Sequence, residues 1–163
     1  MQEIRGNIRV FCRVRPLRHD SYQLEGTCTY PDEDSLAVVD REGAQTAASG
    51  RTAVRRFTFD RMYTPKATQV EIYEDLKPLT LSVLDGYNCC VFAYGQTGTG
   101  KTYTMQGPVS DPGVTYRAVK DLFETAHRAA IQGYTFSFRI SVLEIYNERV
   151  FDLLVDPRTA QVC

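Results

Sequence analysis

Gly95, Gly100, Lys101 and Thr102 stand at the spacing G-x-x-x-x-G-K-[ST], in the run Gly95-Gln96-Thr97-Gly98-Thr99-Gly100-Lys101-Thr102. This spacing suits one chemistry, the holding of a polyphosphate. Glycines let the backbone bend until successive N–H groups point at one anion. Lys101 can reach the terminal phosphates as a point charge. The Thr102 hydroxyl can ligate Mg²⁺, which takes oxygen donors and keeps several waters. A helix beginning after the loop would add an N-terminus that favours a phosphate.

Such a loop has to be carried between a strand and a helix. Upstream, Cys89-Cys90-Val91-Phe92-Ala93-Tyr94 is a short apolar run, which predicts a strand buried on both faces, as in a parallel sheet. Downstream, no breaker follows Thr102 until Gly107-Pro108, so a helix begins there. Before the strand, Thr68-x-x-Glu71 forms a capping box. Ile72, Leu76, Leu79, Val83 and Tyr87 then recur at helical spacing, predicting an amphipathic helix over 68–85 with a kink at Pro78. With the following strand it makes a βαβ unit.

The remaining elements follow from alternation and punctuation. Residues 8–15 alternate and predict a strand ending at Pro16. Ile8, Val10, Cys12 and Val14 take one face of this half-buried strand, and Arg9, Arg13 and Arg15 the other, with Phe11 the exception. Arginines at the C-terminal end of a strand suit contact with a ligand. Residues 29–31 and 36–40 are short strands around the acidic turn Asp32-Glu33-Asp34, 45–50 is a polar tip, and 54–60 is a further strand. Residues 106–113, with two glycines and two prolines, form a loop. Val119, Leu122, Phe123 and Ala126 mark a helix over 114–130 that Gly133 ends. Residues 134–146 alternate as one long strand. Asn147-Glu148-Arg149 then turns into the apolar segment 150–154. At the start, 1–6 reads as a helix end capped by Gly6.

Composition excludes several classes. A chain of 163 residues with 43% hydrophobic and 24% charged residues is neither a disordered tail nor a membrane protein. It holds no apolar run of transmembrane length and no leader-like N-terminus. The net charge of −1 excludes the broad positive field of a nucleic-acid binder. Cys12, Cys28, Cys89, Cys90 and Cys163 contain no C-x-x-C pair and read as buried free thiols. His19 and His127 read as solvated side chains.

Five stretches together resemble one family. They are Gly6-Asn7-Ile8-Arg9-Val10-Phe11-Cys12-Arg13-Val14-Arg15-Pro16, Asp85-Gly86-Tyr87-Asn88, Val91-Phe92-Ala93-Tyr94-Gly95-Gln96-Thr97, Gly100-Lys101-Thr102-Tyr103-Thr104-Met105 and Leu143-Glu144-Ile145-Tyr146-Asn147-Glu148. Their order and spacing resemble the first half of a kinesin motor domain. The lead into Gly6-Asn7-Ile8-Arg9-Val10 is similar to the neck of the C-terminal-motor, minus-end-directed subfamily. The resemblance implies an α/β fold, the P-loop NTPase-type three-layer α/β/α sheet of the kinesin motor kind, truncated before its last strands. Residues 1–6 would then end a neck helix and 7–163 would form a partial motor domain.

It also implies a cytoplasmic, cytoskeletal protein of microtubules and the spindle, which takes ATP or ADP with Mg²⁺. Its partners would be tubulin and a second copy paired through the neck, with no nucleic acid and no membrane. By the family pattern, Arg13, Arg15 and Pro16 line an adenine pocket and Tyr103 stacks on the purine. Gly95, Gln96, Thr97, Gly98, Thr99, Gly100, Lys101 and Thr102 wrap the phosphates, Thr102 also holding the metal. Strands of the family's second half would lie beside the segments at 89–94 and 134–146, which without them have unpaired edges.

Hydrolysis at such a site needs a second carboxylate on the Mg²⁺ side and a group that positions water. In kinesins an N-x-x-S-S-R-S-H stretch and a D-x-A-G-x-E stretch supply them, and neither occurs in this sequence. No catalytic residue is therefore assigned, and the 163 residues alone are expected not to hydrolyse ATP. The family's main microtubule-facing surface is likewise expected to be absent. The alternative reading is a non-catalytic nucleotide-binding or interaction protein. A GTPase would need an N-K-x-D motif and a small-molecule kinase an arginine lid, and neither is found.

Overall fold

The computed structural model describes residues 8–16, 27–40 and 53–155. The helix end read at 1–6, the polar tip at 45–50, His19 and Cys163 lie outside them. The chain divides between Thr125 and Ala126 into two compact units.

In the first unit, β1 (Phe11–Arg13) pairs in parallel with β5 (Arg61–Tyr63), Phe11 opposite Arg61 and Arg13 opposite Tyr63. The Val14 N–H donates to the Tyr63 carbonyl at 2.9 Å and the Asp60 N–H to the Val10 carbonyl at 3.0 Å, extending the pairing at both ends. Parallel neighbours need a long connection. Part of it is an antiparallel sheet of β2 (Cys28–Asp32), β3 (Ser35–Asp40) and β4 (Ala53–Thr58), in the order β2-β3-β4. The acidic turn joins β2 to β3 as expected, closed by the Ser35 hydroxyl donating to Asp32 at 3.0 Å.

The capping box is present. The Glu71 N–H donates to Thr68 Oγ1 at 3.2 Å and the Thr68 N–H donates to Glu71 Oε2 at 2.6 Å. It starts α1 (Gln69–Leu81), which runs through Pro78 and tightens into a 3-10 turn over Ser82–Asp85. Ile72, Tyr73 and Leu76 of α1 form the core with Tyr63 and Val114, and Phe11 packs against it. The Phe11 and Tyr63 rings meet edge to face at 6.2 Å, worth about 1 kcal/mol beyond the area buried. The core therefore sits on the Phe11 side of β1. This corrects the expected face: Ile8 is 90% exposed and Val10 is also exposed, because α1 packs against the opposite side.

Polar pairs hold the helices at their flanks. The Tyr63 hydroxyl donates to Asp75 at 2.7 Å, and Arg61 bridges Asp75 and Glu33, each at 3.1 Å. Burial and the Asp75 carboxylate push the Tyr63 hydroxyl pKa well up. On the other flank, Asp121 of the helix Val114–Ala130 accepts from the Tyr73 hydroxyl at 3.0 Å and pairs with Lys77 at 3.1 Å.

Residues 89–94 do not form the doubly buried strand expected from their composition. They join no ladder, and Phe92 and Tyr94 are 78% and 95% exposed. An apolar run becomes a buried strand only when neighbours supply N–H and C=O partners, and no described segment does so here. Cys89 and Cys90 are accordingly exposed, while Cys12 and Cys28 are half-buried, which corrects the reading of them as buried thiols. All four are free. Burial, then the neighbouring Cys28, push the Cys12 thiol pKa up.

The second unit follows the same rule. Residues 134–142 join no ladder, so the expected long strand is reduced to β6 (Leu143–Tyr146), paired antiparallel with β7 (Arg149–Asp152). Asn147 and Glu148 link them at φ 49° and 61°, the two-residue turn with both central residues left-handed.

Burial raises the Asp121 carboxyl, but hydrogen bonds from Lys77 and Tyr73 outweigh it and leave the pKa below the usual aspartate range. A depressed carboxyl contributes its stability above the unfolded value of about 4 and loses it as pH falls through the folded value. Thermal stability should therefore drop below about pH 4, and drop less in Asp121→Asn; equal losses would contradict this. Glu148→Gly should relieve about 1 kcal/mol of left-handed strain and slow amide exchange across the hairpin severalfold. Unchanged or faster exchange would contradict it.

Candidate functional site

The glycine loop gets its shape from backbone dihedrals and from bonds to its own carbonyls. Gly95, Gly98 and Gly100 have φ of 153°, 82° and 105°. Gly100 is the residue before α2 (Lys101–Met105), and its left-handed backbone turns the chain into that helix. At Gly95 a Cβ would lie 2.7 Å from Thr99 Oγ1. That hydroxyl donates to the Gln96 carbonyl at 2.8 Å, and the Thr99 N–H donates to the same oxygen at 3.3 Å. The loop is thus a closed turn about one acceptor, with room for hydrogen alone at Gly95.

Three cations surround it. Lys101 Nζ folds into the loop and donates to the Gly95 and Gln96 carbonyls, both at 2.8 Å. Arg15 Nη1 donates to the Gly98 carbonyl. Arg13 lies deeper, half-buried, donating to Gln69 Oε1 at 2.8 Å and to Thr104 Oγ1 at 2.9 Å. Its guanidinium carbon lies over the Tyr103 ring, 5.0 Å from the centroid. Burial lowers the Arg13 pKa, opposed by Tyr103 and Asp111. Arginine starts so high that the group stays charged.

Arg13, Arg15, Pro16, Lys101, Thr102 and Tyr103 all line one cleft. Gln96 and the small residues Gly95, Thr97, Gly98 and Thr99 form the exposed loop at its mouth. The cleft encloses about 1760 Å³, more than the ~300–1,000 Å³ of a typical ligand pocket. Residues 89–94 are part of its lining. Sequence reasoning missed Gln69 and Thr104, the two side chains that hold Arg13. Gln69 follows the helix cap directly, a position where glutamine is ordinarily a surface residue.

The donor set fits a polyphosphate. The loop offers a lysine, an arginine and the first N–H groups of a helix, which have no intrahelical acceptor. It also fits Mg²⁺ better than a softer metal. No group of three His, Cys, Asp or Glu side chains that could hold a metal ion occurs among the described residues. Thr102 is exposed beside the loop. A metal here would rest on one hydroxyl, on phosphate oxygens and on water, which is the habit of Mg²⁺.

The sequence profile of the kinesin motor domain matches residues 13–163. The chain is 48% identical over 158 residues to kinesin-like protein KIN-14R of Arabidopsis thaliana, covering 94% of this chain and 14% of that protein. It is 46% identical over 154 residues to kinesin-like protein KIN-14E of Oryza sativa subsp. japonica, again covering 94% and 14%. The motor domain of the Kar3-like kinesin from Ashbya gossypii superposes with a TM-score of 0.80 at 32% identity, covering 96% of this chain and 52% of that one. The chain thus spans about one seventh of the length of these plant relatives.

Gly95→Ala tests the closed turn. Its methyl group would push Thr99 away from the Gln96 carbonyl, and strain of about 1–3 kcal/mol should speed exchange of the Thr99 amide roughly tenfold or more. An unchanged rate would show that the turn does not depend on Gly95.

Proposed function

This chain belongs to the kinesin motor domain family, and from that premise we propose that its glycine loop binds ATP with Mg²⁺ in a microtubule motor of the C-terminal-motor, minus-end-directed kind. The observation that carries this reading is the Lys101 ammonium inside a glycine turn, 2.8 Å from two loop carbonyls. A phosphate oxygen is a stronger, charge-assisted acceptor than either carbonyl. On binding, Lys101 exchanges those contacts for the phosphate, and the N–H groups of residues 98 and 100–102 orient it. Arg15, which the resemblance puts in the adenine pocket, donates to the Gly98 carbonyl; in this proposal it fixes the loop and adds positive charge at its rim. Thr102 holds the metal, whose chemistry is to neutralise charge on the phosphate oxygens. Arg13, Pro16 and Tyr103 receive the base, Tyr103 by stacking.

Microtubules as the track, pairing of two copies through the neck, and a place on the cytoskeleton and spindle belong to the same proposal. A second reading, binding without turnover, applies to the 163 residues taken alone. The sequence contains neither the N-x-x-S-S-R-S-H nor the D-x-A-G-x-E stretch. No residue of the chain is therefore assigned to positioning water.

One experiment addresses both readings. Wild-type protein should bind ATP with Mg²⁺, and Lys101→Ala should weaken binding roughly tenfold or more, as loss of a charge-assisted hydrogen bond requires. Steady-state phosphate release with microtubules should be no faster for wild type than for Lys101→Ala. Equal affinities would sink the phosphate site. Turnover well above the Lys101→Ala control would sink the second reading and leave the first.

A further inference from the structure

We propose that Gln69 is a positioning residue for the nucleotide base, setting Tyr103 against Arg13 so that affinity for the base depends on it while affinity for the phosphates does not. This rests on the nucleotide reading above.

Gln69 is 1% exposed, a polar side chain as buried as any in the core. Such a group persists only if its hydrogen bonds are made. Its Oε1 accepts from Arg13 Nη1 at 2.8 Å, and its Nε2 donates to the Tyr103 carbonyl at 2.7 Å. The amide can face only this way, because a guanidinium only donates and a carbonyl only accepts. The packing around it is tight: a Cβ at Gly107 would sit 2.8 Å from Nε2.

The acceptor on the far side is significant. Helix α2 has five residues, so its last carbonyls lack intrahelical donors. The Thr102 carbonyl is satisfied by the N–H groups of Gln106 and Gly107, at 2.8 and 3.1 Å. The Tyr103 carbonyl is satisfied by Gln69. One side chain therefore caps the helix that carries Tyr103 and anchors the guanidinium lying over the Tyr103 ring. Arg13 closes the circuit through Thr104 Oγ1 at 2.9 Å.

Tyr103 is 48% exposed and lines the cleft, with Arg13 over its ring. A planar base can stack on the ring surface that Arg13 leaves open, and the fixed guanidinium behind it sets the angle of that surface. The phosphate contacts come from Lys101, Arg15 and the loop, none of which bonds to Gln69. The two halves of the ligand are thus held by separate side-chain networks, joined through the backbone of α2 and of residues 13–15.

The test measures ATP and inorganic tripolyphosphate, each with Mg²⁺, as competitors of a fluorescent nucleotide on the same protein. In Gln69→Glu the carboxylate still accepts from Arg13 but cannot donate to the Tyr103 carbonyl. In Thr104→Val the third link is removed with little change of shape. Gln69→Glu should weaken ATP about tenfold, the scale of one buried hydrogen bond in a charged network, and Thr104→Val should weaken it less. Tripolyphosphate should bind all three proteins within about twofold, which also shows that the loop is folded. Equal weakening of both ligands, or no change in ATP, overturns the proposal. A wild type that binds tripolyphosphate but gains nothing from the base also overturns it, leaving the phosphate site intact. A wild type that binds neither ligand removes the nucleotide reading itself.

Discussion

A helix of five residues cannot hold itself together in water, because the cost of nucleating the first turn is not recovered over so few bonds. The glycine loop of this chain leads directly into such a helix, Lys101–Met105. Its position is therefore set from outside. The Gln69 amide holds the Tyr103 carbonyl, Arg13 holds the Thr104 hydroxyl, and the Gly113 N–H closes the following loop onto the Gln106 carbonyl at 2.7 Å. The geometry at the loop is inherited from the first turn of α1 and the end of β1, more than 30 residues away in sequence.

The same dependence explains which contacts are polar. The core of the first unit is small, built around Tyr63, Ile72, Tyr73, Leu76 and Val114. Carboxylates on its margin take up the hydroxyls of Tyr63 and Tyr73, which would otherwise be buried without partners. Arg117 acts similarly on the 106–113 loop, donating to the Pro112 carbonyl at 2.8 Å and pairing with Asp111 at 2.9 Å. The cleft beside this frame has one wall made of β1, α1 and α2. Its other wall, residues 89–94, is apolar and open.

Features set by neighbouring residues were legible in the sequence. The capping box at Thr68, the glycine loop, the acidic turn, the start of α2 and the hairpin turn at Asn147-Glu148 each depend on a few adjacent positions. Features set by distant partners were not. β5 has too few residues to show alternation and is a strand because β1 lies beside it. Residues 89–94 read as buried because apolar runs usually are, yet burial needs a neighbour that periodicity does not report. The face of β1 was assigned from its aliphatic residues, while Phe11 decided it by meeting Tyr63. At the site, the loop and the cluster of Arg13, Arg15 and Tyr103 followed from spacing and from the kinesin resemblance. Gln69 carries no local signal, because its role appears only when three separate segments converge on one amide.

In the proposed complex one ligand spans both networks, phosphates in the glycine turn and a base on Tyr103. A crystal structure of the protein with Mg²⁺ and a non-hydrolysable ATP analogue tests it most directly. In that complex phosphate oxygens should lie within hydrogen-bond distance of Lys101 Nζ and the loop N–H groups, with the purine stacked on Tyr103 opposite Arg13. A purine bound away from Tyr103, or phosphates outside the turn with Lys101 still on the Gly95 and Gln96 carbonyls, would contradict it.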